Sequence, residues 1–304
     1  MSLDADWLID RAALKRRLLV WRILAVLALV AAGTAVSYRH ATGLRPHVAR
    51  LAVTGIVTDD PATARLVDRA THDPTVKALL LRIDSPGGSA AGGVALHDAL
   101  ARFSARKPLV AVMGAEAASA AYMIALPASR IYASPATLTG SIGVILETPD
   151  ISSLMQRLGV TETQIVSGPL KGQPSPFAPL SPAGRTYLQD LVNDMFDQFV
   201  TMVATARHLP KARVLTLADG RAYTGRQALP LGLIDALGDA HDARAFLATR
   251  GVPLSLPETA LAAPGQVRSW FGRGASLPGW LQPLMQLVFP QRAKLDGLVS
   301  LWQP

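Results

Sequence analysis

Between residues 48 and 146, short apolar runs alternate with segments of helical spacing, and this alternation restricts the fold more than any other feature of the chain. Five of the apolar runs predict buried strands, and they are residues 48–57, 76–83, 108–113, 131–134 and 141–146. Segments 61–73 and 91–103 have the spacing of helices, as does the longer amphipathic segment 181–207. Because strands and helices alternate, the sequence predicts an α/β fold.

The stretch of residues 113–125 consists mostly of small side chains and contains one serine, Ser119, between two alanines. It follows the apolar run 108–113, so Ser119 is predicted to lie where a strand ends and a helix begins. A serine there can present its hydroxyl to a cleft, beside N–H groups that the first helical turn leaves without partners. From this stretch alone, Ser119 is either a nucleophile next to an oxyanion site or a small core serine.

Two glycine-containing motifs occur on either side of this stretch. Residues 85–89, Ser-Pro-Gly-Gly-Ser, predict a tight turn whose backbone amides can approach another chain or a reacting carbonyl, although most such motifs are only turns. Residues 139–144, Thr-Gly-Ser-Ile-Gly-Val, are either a second motif of this kind or a glycine-interrupted strand. Both motifs are therefore candidates for a site around Ser119.

Lys171 is the only charged residue between Glu162 and Arg185, in an apolar segment rich in proline. Burial disfavours a charged amine, so such a lysine can lose its proton and act as a base, whereas most loop lysines stay solvated. A histidine base is the alternative, but two of the six histidines, His40 and His47, are expected near the membrane, and the other four have no recognisable carboxylate partner in the sequence. No run of Asp, Glu or His has metal-ligand spacing, so we expect no metal, and the absence of cysteine excludes thiolate catalysis and disulfides.

The segment 18–36 is apolar except for Arg22 and a few small residues, and it is about long enough for a span of roughly 20 residues. Basic residues are concentrated before it, which predicts a transmembrane anchor with a cytoplasmic basic segment, residues 1–17. A cleaved signal peptide is the competing interpretation.

The net charge of +8 lies entirely at the two ends of the chain. Residues 1–50 carry +5 and residues 264–304 carry +3, whereas residues 51–263 contain 18 charges of each sign. A nucleic-acid-binding protein is expected to place its excess charge on the folded domain, so this distribution argues against that function and for membrane-facing ends. All five tryptophans also lie outside residues 51–263, and the tail 264–304 is predicted to be an amphipathic interfacial helix, an oligomer contact or disordered.

The ordered set of motifs resembles the signal peptide peptidase A family of membrane-anchored Ser/Lys peptidases. The motifs are Ser-Pro-Gly-Gly, Ala-Ala-Ser-Ala-Ala-Tyr, Gly-Ser-Ile-Gly-Val, Ser-Gly-x-x-Lys and Gly-Arg-x-Tyr-Thr-Gly, the last followed by Gly-Leu-Ile-Asp, and the likeness covers residues 48–238. The resemblance implies a ClpP/crotonase-like fold, with residues 37–263 as the peptidase domain and no cofactor. It implies that Ser119 is the nucleophile, Lys171 the general base and Ser141 the residue that holds the lysine. By the same resemblance, the oxyanion hole consists of the amides of Gly87, Gly88 and Ala120.

This chain departs from the family pattern at two places. Ala120 follows the nucleophile where the family often has glycine, which should leave the backbone donor intact. Gly172 and Gln173 follow the lysine where an acidic residue is common, which affects the surroundings of the amine or the fit of the substrate. Two other functions stay open, namely an inactive membrane scaffold of the same fold and a crotonase-type acyl-CoA enzyme.

The resemblance also implies substrates, location and assembly. The substrates would be remnant signal peptides or other small apolar polypeptides. The chain would sit in the bacterial inner membrane, in contact with lipid and with its peptidase domain outside the cytoplasm. Only one copy of the motif set is present, whereas double-length members carry two. We therefore expect a homo-oligomeric ring in which Lys171 reaches the Ser119 of a neighbouring subunit.

Overall fold

The computed structural model describes residues 21–34 and 45–261. Residues 21–34 are helical and exposed, and within these two ranges no helix is long and apolar enough to span a membrane. The predicted anchor, residues 18–36, extends past the described residues at both ends, so it stays a prediction. The predicted cytoplasmic segment 1–17 and the tail 264–304 lie outside the described residues altogether.

Eight strands within residues 45–261 form one mixed sheet. They are β1 (His47–Val57), β2 (Val76–Gly88), β3 (Leu109–Ala118), β4 (Arg130–Ala133), β5 (Leu138–Gly140), β6 (Ala222–Thr224), β7 (Ala236–Leu237) and β8 (Glu258–Ala260). The strand order is β6-β5-β3-β2-β1-β8, with β4 between β3 and β7. All pairs are parallel except β5 with β6, which are antiparallel.

Eight helices connect and cover these strands in the same part of the chain. They are α1 (Pro61–His72), α2 (Ala90–Ser104), α3 (Ala120–Ala125), α4 (Ser152–Arg157), α5 (Pro182–Arg207), α6 (Lys211–Leu217), α7 (Gly225–Ala228) and α8 (Ala240–Thr249). Polar caps determine where the long helices begin: the side chains of Asp60, Ser89 and Ser181 each accept a hydrogen bond from an N–H of the first turn. Strands alternate with helices over the first half of the chain, which confirms the predicted α/β class.

The core lies on both faces of the sheet. Leu79, Leu81 and Ile83 of β2 pack in one buried cluster with helices α1, α2, α3, α5 and α6, whereas Ala78 and Leu80 pack in a second cluster with α8. Alternate residues of a strand point to opposite faces, so a strand covered on both sides is apolar throughout. This explains why residues 78–81 in the middle of β2 are apolar without interruption.

Strand β3 pairs with two different strands along one edge, and this pairing positions the residue that follows it. Its first half, at residues 110–112, pairs with β4, while its second half, at residues 116–118, pairs with β5. The strand was expected to end at residue 113 but continues to Ala118, because β5 supplies hydrogen-bonding partners that the local sequence does not reveal. Ser119 is therefore placed directly after the strand residues that pair with β5.

Two local predictions are wrong. The expected tight turn at residues 85–89 is instead the end of β2, and Gly88 pairs with Val57 of β1. A Cβ on Gly88 would lie 2.1 Å from the Val57 carbonyl oxygen, so glycine is needed here because two strands approach closely. The expected strand at residues 141–146 is irregular, because the Ser141 N–H donates to the Arg221 carbonyl and the chain then leaves the sheet.

Candidate active site

Ser119 occupies a strained position at the junction of β3 and α3. Its backbone angles are φ 55° and ψ −123°, a conformation that non-glycine residues rarely adopt and that costs on the order of 1–3 kcal/mol. Two hydrogen bonds hold the junction: the Ser119 N–H donates to the Gly140 carbonyl at 2.9 Å, and the Met123 N–H donates to the Ser119 carbonyl at 3.0 Å. The predicted strand-to-helix placement of Ser119 is confirmed, and the alternative of an ordinary helical core serine is wrong.

The half-buried Ser119 lies in a cavity of about 680 Å³ at the carboxyl ends of β2 and β3. Its walls come from the end of β2, the starts of α2 and α3, the irregular segment after β5 and one face of α5. The lining residues are Pro86, Gly88, Ser89, Ala90, Ala91, Ser119, Ala120, Met123, Ser141, Gly143, Val144, Ile145, Leu146, Leu191, Val192, Met195, Phe199 and Gly220. The cavity therefore contains Ser119, Ser141, Gly88 and Ala120 of the six predicted site residues.

The predicted oxyanion donors differ in their surroundings. Ala120 is the first residue of α3, so its N–H has no acceptor within the helix, and it lines the cavity beside Ser119. Gly88 lines the cavity as well. Gly87 does not, and its N–H donates to the buried hydroxyl of Ser85 at 3.1 Å. The geometry thus favours Ala120 and Gly88 as donors to a developing oxyanion.

Gly87 instead contacts the turn that carries Ser119. Its φ of 108° is a conformation typical of glycine, and a Cβ there would lie 2.8 Å from both the Ala118 carbonyl oxygen and the Ser119 Cβ. The missing side chain therefore lets β2 pack directly against the Ser119 turn.

Ser141 is the second hydroxyl residue that lines the cavity. It also has a positive φ, 48°, and its N–H donates to the Arg221 carbonyl at 3.0 Å. Its hydroxyl donates to the Gly220 carbonyl at 3.2 Å. Ser141 is thus fixed by two hydrogen bonds to the same short segment, and its hydroxyl oxygen keeps lone pairs that can accept a hydrogen bond from an amine.

Lys171 lies apart from this arrangement. Its side chain is exposed on the loop between α4 and α5, its N–H donates to the Gly168 carbonyl at 3.0 Å, and it does not line the Ser119 cavity. None of the five histidines within residues 45–261 lines that cavity either. Within residues 45–261, one chain therefore brings the hydroxyls of Ser119 and Ser141 and the neighbouring backbone amides together, but no lysine or histidine lines the same cavity.

Helix α5 supplies the apolar wall of the cavity. Leu191, Val192, Met195 and Phe199 recur on the face predicted from the helical spacing of segment 181–207, and only Phe199 of these four is fully buried. A second depression of about 390 Å³ continues along α5 between Met195 and Met202. Concave apolar walls of this kind bind apolar side chains of a ligand, with a few polar groups to orient it.

A hydrogen-bonded brace between α3, α5 and residues 233–235 was not found by sequence reasoning. The hydroxyl of Tyr122, in α3, donates to the Leu233 carbonyl at 2.8 Å, and burial raises the pKa of Tyr122 well above its usual value. Two residues further on, Asp235 accepts two hydrogen bonds from Arg207 at the end of α5, at 2.7 and 3.0 Å. The Gly-Leu-Ile-Asp motif contains half of this brace, but Arg207 lies 28 positions from its partner and has no local signal.

The comparison with protein families matches residues 101–252, half of the chain, to peptidase family S49. A site with a strained serine beside unpaired helix-start amides fits a peptidase, and the chain belongs to peptidase family S49.

Individual relatives agree with this assignment. The chain is 40% identical to a putative protease of Synechocystis sp. over 68% of this chain and 76% of that protein. It is 36% identical to a putative signal peptide peptidase SppA of Enterococcus faecium, over 57% of this chain and 50% of the relative. It is 39% identical to Protease 4 of Salmonella typhi, over 60% of this chain but only 29% of that relative. The predicted resemblance to signal peptide peptidase A, in its single-domain form, is confirmed.

Proposed function

We propose that this chain is a serine endopeptidase in which Ser119 is the nucleophile, Lys171 the general base and Ser141 the residue that orients the lysine. The observation that carries the proposal is the position of Ser119, strained at a strand-to-helix junction, in a cavity beside the Ala120 N–H. A serine hydroxyl needs a base to become a nucleophile, and within residues 45–261 no histidine lines the cavity. Lysine is the base that family membership and the motif order favour.

The proposed reaction proceeds through an acyl-enzyme. The neutral amine of Lys171 accepts the proton of Ser119 while Oγ attacks the peptide carbonyl carbon, and the carbonyl oxygen receives hydrogen bonds from the N–H groups of Ala120 and Gly88. Lys171 then gives this proton to the leaving amine as the peptide bond breaks. Water next attacks the acyl group, with Lys171 as its base, and releases the carboxylic acid and Ser119.

Lys171 is proposed to act on the cavity of a neighbouring subunit in a homo-oligomeric ring of ClpP/crotonase-like domains. The support comes from the segment that carries it, which is exposed and rich in apolar side chains. Ile145 is 82% exposed and Ile165 is 98% exposed, and Leu154, Leu158, Val160 and Val166 are exposed as well. An apolar surface of this extent on a single chain is typical of a surface that another protein covers.

The proposed substrates are apolar polypeptides, including remnant signal peptides, handled at the bacterial inner membrane. The apolar wall of α5 supports an apolar substrate, and the name of the Enterococcus faecium relative supports signal peptides. The basic residues that precede segment 18–36 support an anchor with the peptidase domain outside the cytoplasm.

Hydrolysis of an apolar fluorogenic peptide by Ser119→Ala and Lys171→Ala tests the dyad. We expect each variant to lose at least about a thousandfold in kcat/KM, because nucleophile and base act as one unit. Lys77→Ala, which removes another exposed lysine, serves as the control and should stay active. Fluorophosphonate should label the wild type at Ser119, and labelling elsewhere or near-normal turnover by Lys171→Ala would exclude this dyad.

The pH dependence separates lysine from histidine as the base. A lysine base works only as the neutral amine, whose fraction increases with pH, so kcat/KM should rise continuously into the alkaline range. A histidine base would instead give a rise that is complete near neutrality, and mutation of one histidine would abolish it. A steady-state profile between neutral and alkaline pH distinguishes the two.

A further inference from the structure

A cluster of basic side chains covers the outer surface of α1 and the end of α2, far from the catalytic cavity. We name it the basic face, and it consists of Arg65, Arg69, His72, Arg102 and Arg106, all exposed. Two surface depressions of about 560 and 470 Å³ lie against it and share Asp68 and His72. We propose that the basic face binds the headgroups of anionic phospholipids and so orients the catalytic cavity away from the bilayer.

The charge of the basic face is only partly neutralised by the described residues. Asp68 pairs with Arg102 through two hydrogen bonds of 3.1 Å each, whereas Arg65, Arg69 and Arg106 form no salt bridge with another described residue. Residues 51–263 carry no net charge, so the face reflects a local separation of charge. Guanidinium groups bind phosphate oxygens in a two-pronged geometry, which suits a phospholipid headgroup.

The two helices that carry the face are tied together. The Lys107 amine, just after α2, donates to the carbonyl oxygens of Ala70 at 2.8 Å and Asp73 at 2.5 Å, both at the end of α1. The face is therefore held in one arrangement and does not depend on a mobile loop.

The basic face lies at the amino ends of the parallel strands. Helix α1 ends just before β2, α2 ends just before β3, and the registers His47 with Val76 and Leu79 with Leu109 place these strand starts at one edge. Ser119 follows the opposite end of β3, and ten strand residues span about 30 Å. Contact of this edge with a membrane would therefore hold the catalytic serine about 30 Å from the headgroups.

The short connection between helix 21–34 and β1 favours a membrane as the partner of the basic face. The peptidase domain begins at β1, which starts at the same edge, and twelve residues separate it from residue 34 of helix 21–34, a reach of at most about 43 Å. If that helix is part of the anchor, this edge lies close to the bilayer. The inference rests on the membrane attachment in the proposed function but does not depend on the catalytic residues.

Site-specific quenching tests the docking, and the chain has no cysteine that would compete for the label. A fluorophore is attached to Ala105→Cys beside the face, to Thr58→Cys at the opposite edge, or to Ala31→Cys in helix 21–34. Each full-length variant is reconstituted into vesicles of phosphatidylcholine, with or without phosphatidylglycerol, that contain a nitroxide-labelled lipid. We expect phosphatidylglycerol to increase quenching at Ala105→Cys but not at Thr58→Cys, and salt to reverse the increase.

Charge reversal identifies the face as the cause. In the Ala105→Cys background, Arg69→Glu with Arg106→Glu should reduce quenching to the phosphatidylcholine level, and Arg69→Gln with Arg106→Gln should reduce it partly. The matched control, Arg213→Glu with Arg226→Glu, changes two exposed arginines outside the face and should leave the increase intact. Peptide hydrolysis in detergent checks that the charge-reversed protein is folded and active.

Three outcomes would overturn the proposal. Quenching at Ala31→Cys without a phosphatidylglycerol effect at Ala105→Cys would show insertion without docking, and an acidic protein would then be the better partner. An unchanged increase in the Arg69→Glu, Arg106→Glu variant would assign the effect to other residues. Absence of quenching at all three labels would overturn docking together with membrane attachment. Failure of catalysis alone is separate, because Ser119→Ala should dock normally.

Discussion

The two halves of the proposed dyad lie in regions of opposite character. Ser119 is held at the end of a paired strand, with strained backbone angles, two backbone hydrogen bonds and the fully buried Tyr122 three residues further on. Lys171 lies on a loop in which Ile165 is 98% exposed and several other apolar side chains face solvent. A single chain thus holds the proposed nucleophile rigidly, but it leaves the proposed base exposed to solvent.

The difference has a physical reason. Backbone strain persists only where the surrounding structure over-determines it, and the contacts of Gly87 and Gly140 with the Ser119 turn do this within one chain. An amine becomes a base only where water and charge partners are removed, which an exposed loop cannot achieve alone. A neighbouring subunit would supply that burial, so the difference between the two regions favours assembly into an oligomer.

The largest expected change in activity is its recovery when two inactive variants are co-expressed. If sites are shared between subunits, co-expression of Ser119→Ala with Lys171→Ala should restore activity, because roughly one site in four receives both wild-type residues under random mixing. Each variant alone should be inactive. Turnover of the purified mixed oligomer, isolated through two different tags, measures the recovery.

The double variant provides the matched control. Co-expression of wild type with the Ser119→Ala, Lys171→Ala double variant should also retain activity, which shows that mixed oligomers are competent. If that control is active and the two single variants remain inactive together, each subunit uses its own lysine and the loop must fold back onto its own cavity.

Gly87→Ala should disrupt the Ser119 turn without affecting the Lys171 loop. The new Cβ would lie 2.8 Å from Ser119 Cβ and the Ala118 carbonyl oxygen, so the turn must shift, and we expect a loss of about a hundredfold or more in kcat/KM. Gly55→Ala is the control, because Gly55 also has a positive φ, 70°, but no described atom lies within 4 Å of the place that a Cβ would occupy there. It should cost only about 1–2 kcal/mol of stability. Equal activity losses in both variants would mean that backbone strain alone, and not contact with Ser119, explains the requirement for glycine.

Much of the fold could be predicted from local pattern. The apolar runs at 48–57 and 76–83 and the helical spacings at 61–73 and 91–103 give the elements within a few residues, because each is buried on a face that its own periodicity reveals. The position of Ser119 followed from the change of composition after residue 113. These are properties of neighbouring residues and need no tertiary information.

What could not be predicted depends on distant partners. The second half of β3 is a strand because it pairs with β5. Residues 85–88 continue β2 because Gly88 pairs with Val57 of β1. The brace between Arg207 and Asp235 joins residues that are 28 positions apart in the chain. The hydrogen bond from the Gly87 N–H to the Ser85 hydroxyl could not be predicted either, because nothing in Ser-Pro-Gly-Gly indicates it.

The smallest expected effect is a change in stability, and it concerns two isoleucines in one short segment, residues 141–146. Ile142 is fully buried in the core, whereas Ile145 is 82% exposed at the rim of the cavity. Ile142→Ala should therefore lower the free energy of unfolding by about 2–5 kcal/mol, and Ile145→Ala should change it by less than about 0.5 kcal/mol. Chemical denaturation in detergent at several protein concentrations measures both. If Ile145→Ala is destabilising only at concentrations where the protein is oligomeric, Ile145 is buried by a neighbour, and the exposed region is completed by assembly. A concentration-independent loss as large as that of Ile142→Ala would place Ile145 in the core of its own chain and contradict the division between the two regions.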